Sequence, residues 1–155
     1  MPIIISHRGI LDDDSSNQNN PKQICKILES TEYSCEIDVW FKDNRFYLGH
    51  DTADFEVEEQ FLKNNRLWCH AKNVEALSEM AKSKEINYFW HDQDRFTLTS
   101  KGYIWCFPNE TGSLAEKSVL VLPETCGIYD KSVLQSYYGI CTDIPQHYNK
   151  ILFLE

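Results

Sequence analysis

At 155 residues, with 42% hydrophobic and 25% charged side chains, the chain has the composition of an ordinary soluble globular protein, and one domain over 1–155 is expected. The net charge of −9 and the lack of a basic stripe interleaved with aromatics argue against nucleic acid as a partner, while leaving room for a small phosphate in a local positive pocket. No apolar stretch reaches the length of a membrane span, Met1 leads straight into the first apolar run, and the six cysteines stand singly. A cytoplasmic protein with free thiols and no zinc cluster is therefore expected.

Pro2–Ser6 reads as a strand that stops abruptly at His7, Arg8 and Gly9. The following LDDDSSNQNN is expected to be a solvated, flexible loop able to fold over a pocket; its three successive aspartates repel one another and need no ligand. Asn20 as N-cap, Pro21 at the first helical position and Ile24, Ile27 and Leu28 on one face predict a short helix to about Thr31. SCEIDVWF is a second strand, and Asp43 and Asn44 turn the chain into another extended run that ends at YLGHD.

FEVEEQFLKNN reads as a short helix or turn and RLWCHAK as a further strand. In NVEALSEMAKSKE, Asn73 caps a helix whose apolar face is expected to be Val74, Leu77, Met80 and Ala81. INYFW, GYIWCF and SVLVLP are strands. DKSVLQSYYG predicts a helical face of Val133, Leu134 and Tyr137 with Gly139 as its stop, and ICTDI is the last strand. Strands alternating with helical segments indicate an α/β fold. About seven or eight mostly parallel strands with few helices suggest a reduced TIM-type (β/α) barrel with several helices missing, since a full barrel takes about 250 residues. Uncovered outer strands would favour a homo-oligomer.

The chemistry-bearing residues sit at strand ends. Glu36 and Asp38 are two apart on one strand, so both face one side and Ile37 and Val39 the other; a divalent cation would relieve their repulsion, and plain solvation is the alternative. His70 and Lys72 repeat that spacing, as an imidazole ligand beside a phosphate-holding ammonium or as a core histidine and a solvated lysine. His7 and His50 are suited to proton transfer near neutrality. His91 and Asp92 close another strand and could meet an alcohol group, and Trp90 or Trp105 could stack on a sugar ring or base; core packing and a turn cap are the alternatives. Glu124 also falls at a strand end, as a cation or hydroxyl contact. His147 reads as a surface residue.

SHRG, EIDV, GHD and the terminal GICTDIP occur in an order and spacing that resembles the glycerophosphodiester phosphodiesterases. The resemblance implies a TIM-type barrel, a divalent cation, usually Mg²⁺ or Ca²⁺, and hydrolysis of a small phosphodiester. It implies His7 and His50 as the acid/base pair, Arg8 and Lys72 on the phosphate, Gly9 allowing close backbone approach, and Glu36 and Asp38 as metal ligands. HAK stands where the family has Glu-x-Lys, so His70 replaces the third acidic ligand, and QNNP replaces a Glu-Asn-Thr segment, putting Gln18 where an acid is expected. Both changes remove negative charge and shift the expected metal toward Mn²⁺ or Zn²⁺. Thr142 and Asp143 resemble the family's closing turn. The alternatives are a phosphate-binding domain of the same fold without turnover, and a zinc hydrolase built on Cys69, His70 and His91.

Overall fold

The computed structural model describes residues 1–107 and 116–154. After β1 (Ile3–Ser6), His7–Gly9 form one turn of 3-10 helix and Ser15–Asn17 another, leading to α1 (Pro21–Ser30). Next come β2 (Ser34–Lys42), β3 (Arg45–Leu48), β4 (Phe55–Val57), α2 (Glu59–Leu62), β5 (Leu67–Ala71) and α3 (Val74–Met80). The remainder is β6 (Tyr88–Phe89), β7 (Phe96–Leu98), β8 (Ile104–Cys106), β9 (Ser118–Val121), α4 (Lys131–Leu134), β10 (Gly139–Thr142) and α5 (Pro145–Phe153).

Seven strands run parallel in the order β6-β5-β2-β1-β10-β9-β8, with the β3–β4 hairpin extending β2 and β7 lying antiparallel on β8. The sheet curls until β6 meets the segment after β7, where Ser100 N donates to Tyr88 O at 2.8 Å and Tyr88 N to Ser100 Oγ at 3.0 Å. Inside the curl, Phe89 of β6 and Trp105 of β8 pack with ring centroids 4.8 Å apart. This is the reduced TIM-type barrel that the alternation of elements predicts.

Strand alternation sorts β2 into two faces. Cys35, Ile37 and Val39 point outward and are fully buried under Ile24 and Ile27 of α1 and Ala76 and Met80 of α3. Each such aliphatic side chain contributes about 1.5–3 kcal/mol of burial. A second outer layer packs Ile4, Leu120 and Ile140 beneath Leu134 of α4 and Tyr148 and Leu152 of α5. The strands least covered by helices lie at β7, where Phe96 and Leu98 are exposed.

Several expectations change, the first being that Phe55–Val57, expected within a short helix or turn, form the strand β4 paired with β3, and the helix is confined to Glu59–Leu62. In α3 the buried residues are Ala76 and Met80 and Val74 is exposed, because Asn73 Nδ2 donates to Phe41 O while its Oδ1 accepts from Phe41 N and Ala76 N, fixing how the helix enters. Gly139 is not a helix stop but the first residue of β10; α4 has already ended, and a Cβ there would stand 2.9 Å from Ile3 Cγ1. Gly9 has a packing reason of its own: its φ is +72° and a Cβ would meet Ile24 Cγ1 at 3.0 Å. The strand β7 and helix α5 arise where no periodic pattern stood out. All six cysteines are thiols, with no disulfide among the described residues.

Gly49 shapes the turn that carries His50. Its φ is +152°, a Cβ would lie 1.9 Å from Thr52 O, and its carbonyl accepts from Trp40 Nε1 at 2.7 Å. Gly49→Ala is expected to cost about 3 kcal/mol in urea unfolding; a wild-type midpoint would contradict this reading.

Candidate active site

The inward face of β2 carries Glu36 and Asp38, which are buried at the C-terminal rim of the barrel. His70 of β5 lies beside Asp38 in register, Lys72 just follows β5, and His7 and Arg8 follow β1. These ends meet at one cavity of about 320 Å³, whose walls include His7, Arg8, Glu36, His50, His70 and Lys72. His91, Asp92, Trp105, Phe107, Val121 and Leu122 complete it. Trp90 stands outside this wall, exposed, with its carbonyl accepting from Thr97 Oγ1.

Asp38 organises the cluster. Its Oδ2 accepts from Asn19 Nδ2 at 2.9 Å and from His50 Nδ1 at 3.2 Å, and lies 3.2 Å from Arg8 Nε. Asn19 Oδ1 returns a bond by accepting from Asp38 N at 2.9 Å. On its other oxygen, Oδ1, Asp38 has His70 Nδ1 at 3.1 Å and Lys72 Nζ at 3.6 Å. Burial alone would raise the Asp38 carboxyl, but the bond from His50 and the Arg8 charge outweigh it and hold the group well below the usual carboxylate range.

The histidines differ in what holds them. His50 gives its Nδ1 proton to Asp38, so its Nε2 is the lone-pair atom, and Arg8 Nη2 approaches that atom at 3.4 Å. His7 donates from Nδ1 to Asp143 Oδ1 at 2.7 Å, and its Nε2 lies 3.9 Å from Glu36 Oε2. Burial lowers the His7 pKa, yet the Asp143 hydrogen bond and the Glu36 charge more than offset this, so it is raised above 6.5. Arg8, at φ +52°, is turned so that its backbone N donates to Glu36 Oε2 at 3.1 Å while Nη1 donates to Gln18 Oε1 at 3.2 Å.

A cation fits among Glu36, Asp38 and His70, whose ligand atoms all lie within 4.8 Å of one another. Three observations support the fit. Asp38 Oδ1 is buried and makes no hydrogen bond among the described residues. Glu36 is pushed up by burial and by the Asp38 charge, the signature of a carboxylate short of positive charge. His70 donates from Nε2 to His91 O at 2.9 Å, which leaves the Nδ1 lone pair facing the two acids, the usual arrangement of a ligating imidazole.

Several residues take places that the sequence left open. Asn19, buried at φ +57°, ties the first loop to Asp38, and its neighbour N-cap Asn20 was the nearest signal. Asp143 joins the site through His7. Behind it Glu124, outside the cavity wall, accepts from Thr142 Oγ1 and Asp143 N, both at 2.8 Å. The aspartate loop is tethered as well, Asp13 N donating to Asp143 O at 3.0 Å. A zinc centre on Cys69, His70 and His91 is ruled out by geometry: Cys69 lies on the outward face of β5 within the outer core, with its thiol pushed up by burial. His147 is exposed on α5, as expected.

Two solved structures share this arrangement of elements. A protein of Galdieria sulphuraria, provisionally named a glycerophosphodiester phosphodiesterase, superposes with a TM-score of 0.60 at 11% identity over 97% of this chain and 98% of its own. The chain has the glycerophosphodiester phosphodiesterase fold. A glycerophosphodiester phosphodiesterase from Agrobacterium tumefaciens gives a TM-score of 0.50 at 13% identity, over 97% and 99% of the two chains. No family model and no curated protein matches the sequence. No helix among the described residues is long and apolar enough to cross a membrane.

Asp143→Asn is expected to lower the His7 pKa, followed by NMR of the ring protons. Because the folded-state pKa is raised, the pair adds stability below about pH 6.5, and that stability is lost as pH rises through the folded value. The variant should therefore be destabilised more at about pH 5.5 than at about pH 8.5. An unmoved His7 titration would contradict the pairing.

Proposed function

We propose that this chain hydrolyses a small phosphodiester, of the glycerophosphodiester or sugar-alcohol phosphate kind, with His50 as general base and His7 as general acid. The observation that carries this reading is the meeting of two oppositely prepared imidazoles, a guanidinium and an ammonium on one 320 Å³ cavity. His50, with its proton on Nδ1 held by Asp38, offers Nε2 to the attacking hydroxyl or water. His7, kept protonated by Asp143 and Glu36, returns a proton to the leaving alkoxide from Nε2. Arg8 and Lys72 line the same cavity and offset the phosphate charge in the ground and transition states.

Glu36, Asp38 and His70 would hold a divalent cation, and its chemistry would be to polarise a phosphoryl oxygen. One imidazole among the ligands, with Gln18 in place of an acid nearby, favours Mn²⁺ or Zn²⁺ over Mg²⁺ or Ca²⁺. On the substrate's alcohol side, His91 and Trp105 line the cavity, His91 with its pKa lowered by burial and so available as a neutral hydrogen-bonding group. Trp90 would contribute only at the rim, where its ring is exposed.

A second reading, phosphate binding without turnover, is favoured by one observation. Arg8 and Lys72 already lie 3.2 and 3.6 Å from Asp38, so part of their charge is spent within the protein.

With an aryl phosphodiester, His7→Ala and His50→Ala are each expected to lower kcat by about 10²–10⁴. Activity that survives both changes would reject hydrolysis at this site, and phosphate binding with no turnover in the wild type would establish the second reading. In thermal unfolding, Mn²⁺ at about a hundredfold excess over its Kd is expected to raise Tm by about 5 °C, an effect lost in Glu36→Gln. An equal rise in that variant would place the ion elsewhere.

A further inference from the structure

A second cavity, of about 550 Å³, lies at the opposite end of the barrel. Its walls come from the beginnings of strands, where the first cavity uses their ends: Ser34 opens β2, and Asn87, Tyr103 and Tyr138 immediately precede β6, β8 and β10. The two cavities share no lining residue. Between them lies the packed barrel interior of Ile5, Phe89, Val119 and Cys141, with Trp68 of β5 facing the second cavity.

Three properties of this cavity define what it can hold. Asn87 is only 8% exposed, and its Oδ1 is buried without a hydrogen bond among the described residues, so its amide has unused hydrogen-bonding capacity beside the cavity. Tyr103 Oη donates to Tyr138 Oη at 3.2 Å, so the two hydroxyls use one proton between them and keep one to give. Their rings stand 4.6 Å apart, and Tyr103 packs on Trp68 at 5.0 Å, which makes a continuous aromatic wall.

Charge supplies the third property. Glu32 and Glu85 are matched by Arg66 and Lys101, so the lining has no net charge. Arg66 is occupied by the carbonyls of Leu28, Thr31 and Tyr33, and Glu85 lies 3.7 Å from Lys63. A phosphate or a quaternary ammonium would gain little field here. A neutral ring with an apolar face and several hydroxyls suits this lining: its C–H face meets the aromatic wall, one hydroxyl approaches the Asn87 amide, and another accepts from the tyrosine pair. The volume falls within the range of about 300–1,000 Å³ usual for small-molecule sites.

We propose that this cavity is a second ligand site for a neutral polyhydroxylated ring of the monosaccharide or cyclitol class. The site is independent of the phosphodiester chemistry at the other rim. It is tested by titrating the ¹⁵N-labelled protein with D-glucose and myo-inositol, and separately with inorganic phosphate and choline, while following the Trp68 indole resonance identified by its loss in Trp68→Phe. The expected result is a saturable shift with at least one neutral probe and none with the charged ones. Asn87→Leu and Tyr138→Phe should each weaken that binding by about tenfold without moving the His7 and His50 ring signals. Should Asn87→Leu fail to fold, Tyr138→Phe, which keeps the ring, carries the test. The proposal is overturned if neither neutral probe gives a saturable shift, if phosphate or choline binds here in their place, or if binding is unchanged in the folded variants.

Discussion

One buried carboxylate sets the positions of nearly everything at the barrel's rim. Asp38 has no exposed surface, and removing such a charge from water costs several kcal/mol unless partners compensate. Here Asn19, His50, Arg8, His70 and Lys72 all lie within 3.6 Å of it. The same contacts that make its burial tolerable bring residues from four stretches of chain to one point. Stabilisation and site geometry are thus one set of interactions, so a change at Asp38 cannot affect one without the other.

The two oxygens of that carboxylate have different environments. Oδ2 is used for assembly: it fixes the His50 tautomer and draws in Arg8 and the first loop. Oδ1 makes no hydrogen bond among the described residues and faces the lone pair of His70, with Glu36 nearby and pushed up. That asymmetry lets a single side chain hold the apparatus together and still offer a ligand. The imidazole of His7 is arranged by a separate chain of contacts, the Asp143 backbone N donating to Glu124 and His7 donating to Asp143. The two imidazoles are therefore held by two different carboxylates, Asp143 for His7 and Asp38 for His50.

The sequence made the strand-end residues legible because strand alternation is a strict rule. Once β2 is a strand with Ile37 and Val39 outward, Glu36 and Asp38 have only the barrel interior to face. The N-caps Asn20 and Asn73 were equally readable, since each precedes an apolar helical pattern. What could not be read depends on contacts distant in the chain. The exposed side of α3 was set by the Asn73–Phe41 bonds, and the packing reason for Gly9 lies in Ile24 of the next helix. Asp143 gives no local sign that it will hold His7, 136 residues earlier in the chain. β7 is three residues long, too short for any period to show.

The most direct measurement is the anomalous scattering of a crystal grown with Mn²⁺ and inorganic phosphate. The account predicts a manganese peak bound by Glu36, Asp38 Oδ1 and His70 Nδ1, with the phosphate against Arg8 and Lys72 and between the two imidazoles. A manganese peak elsewhere, or a phosphate that leaves His7 and His50 untouched, would contradict it.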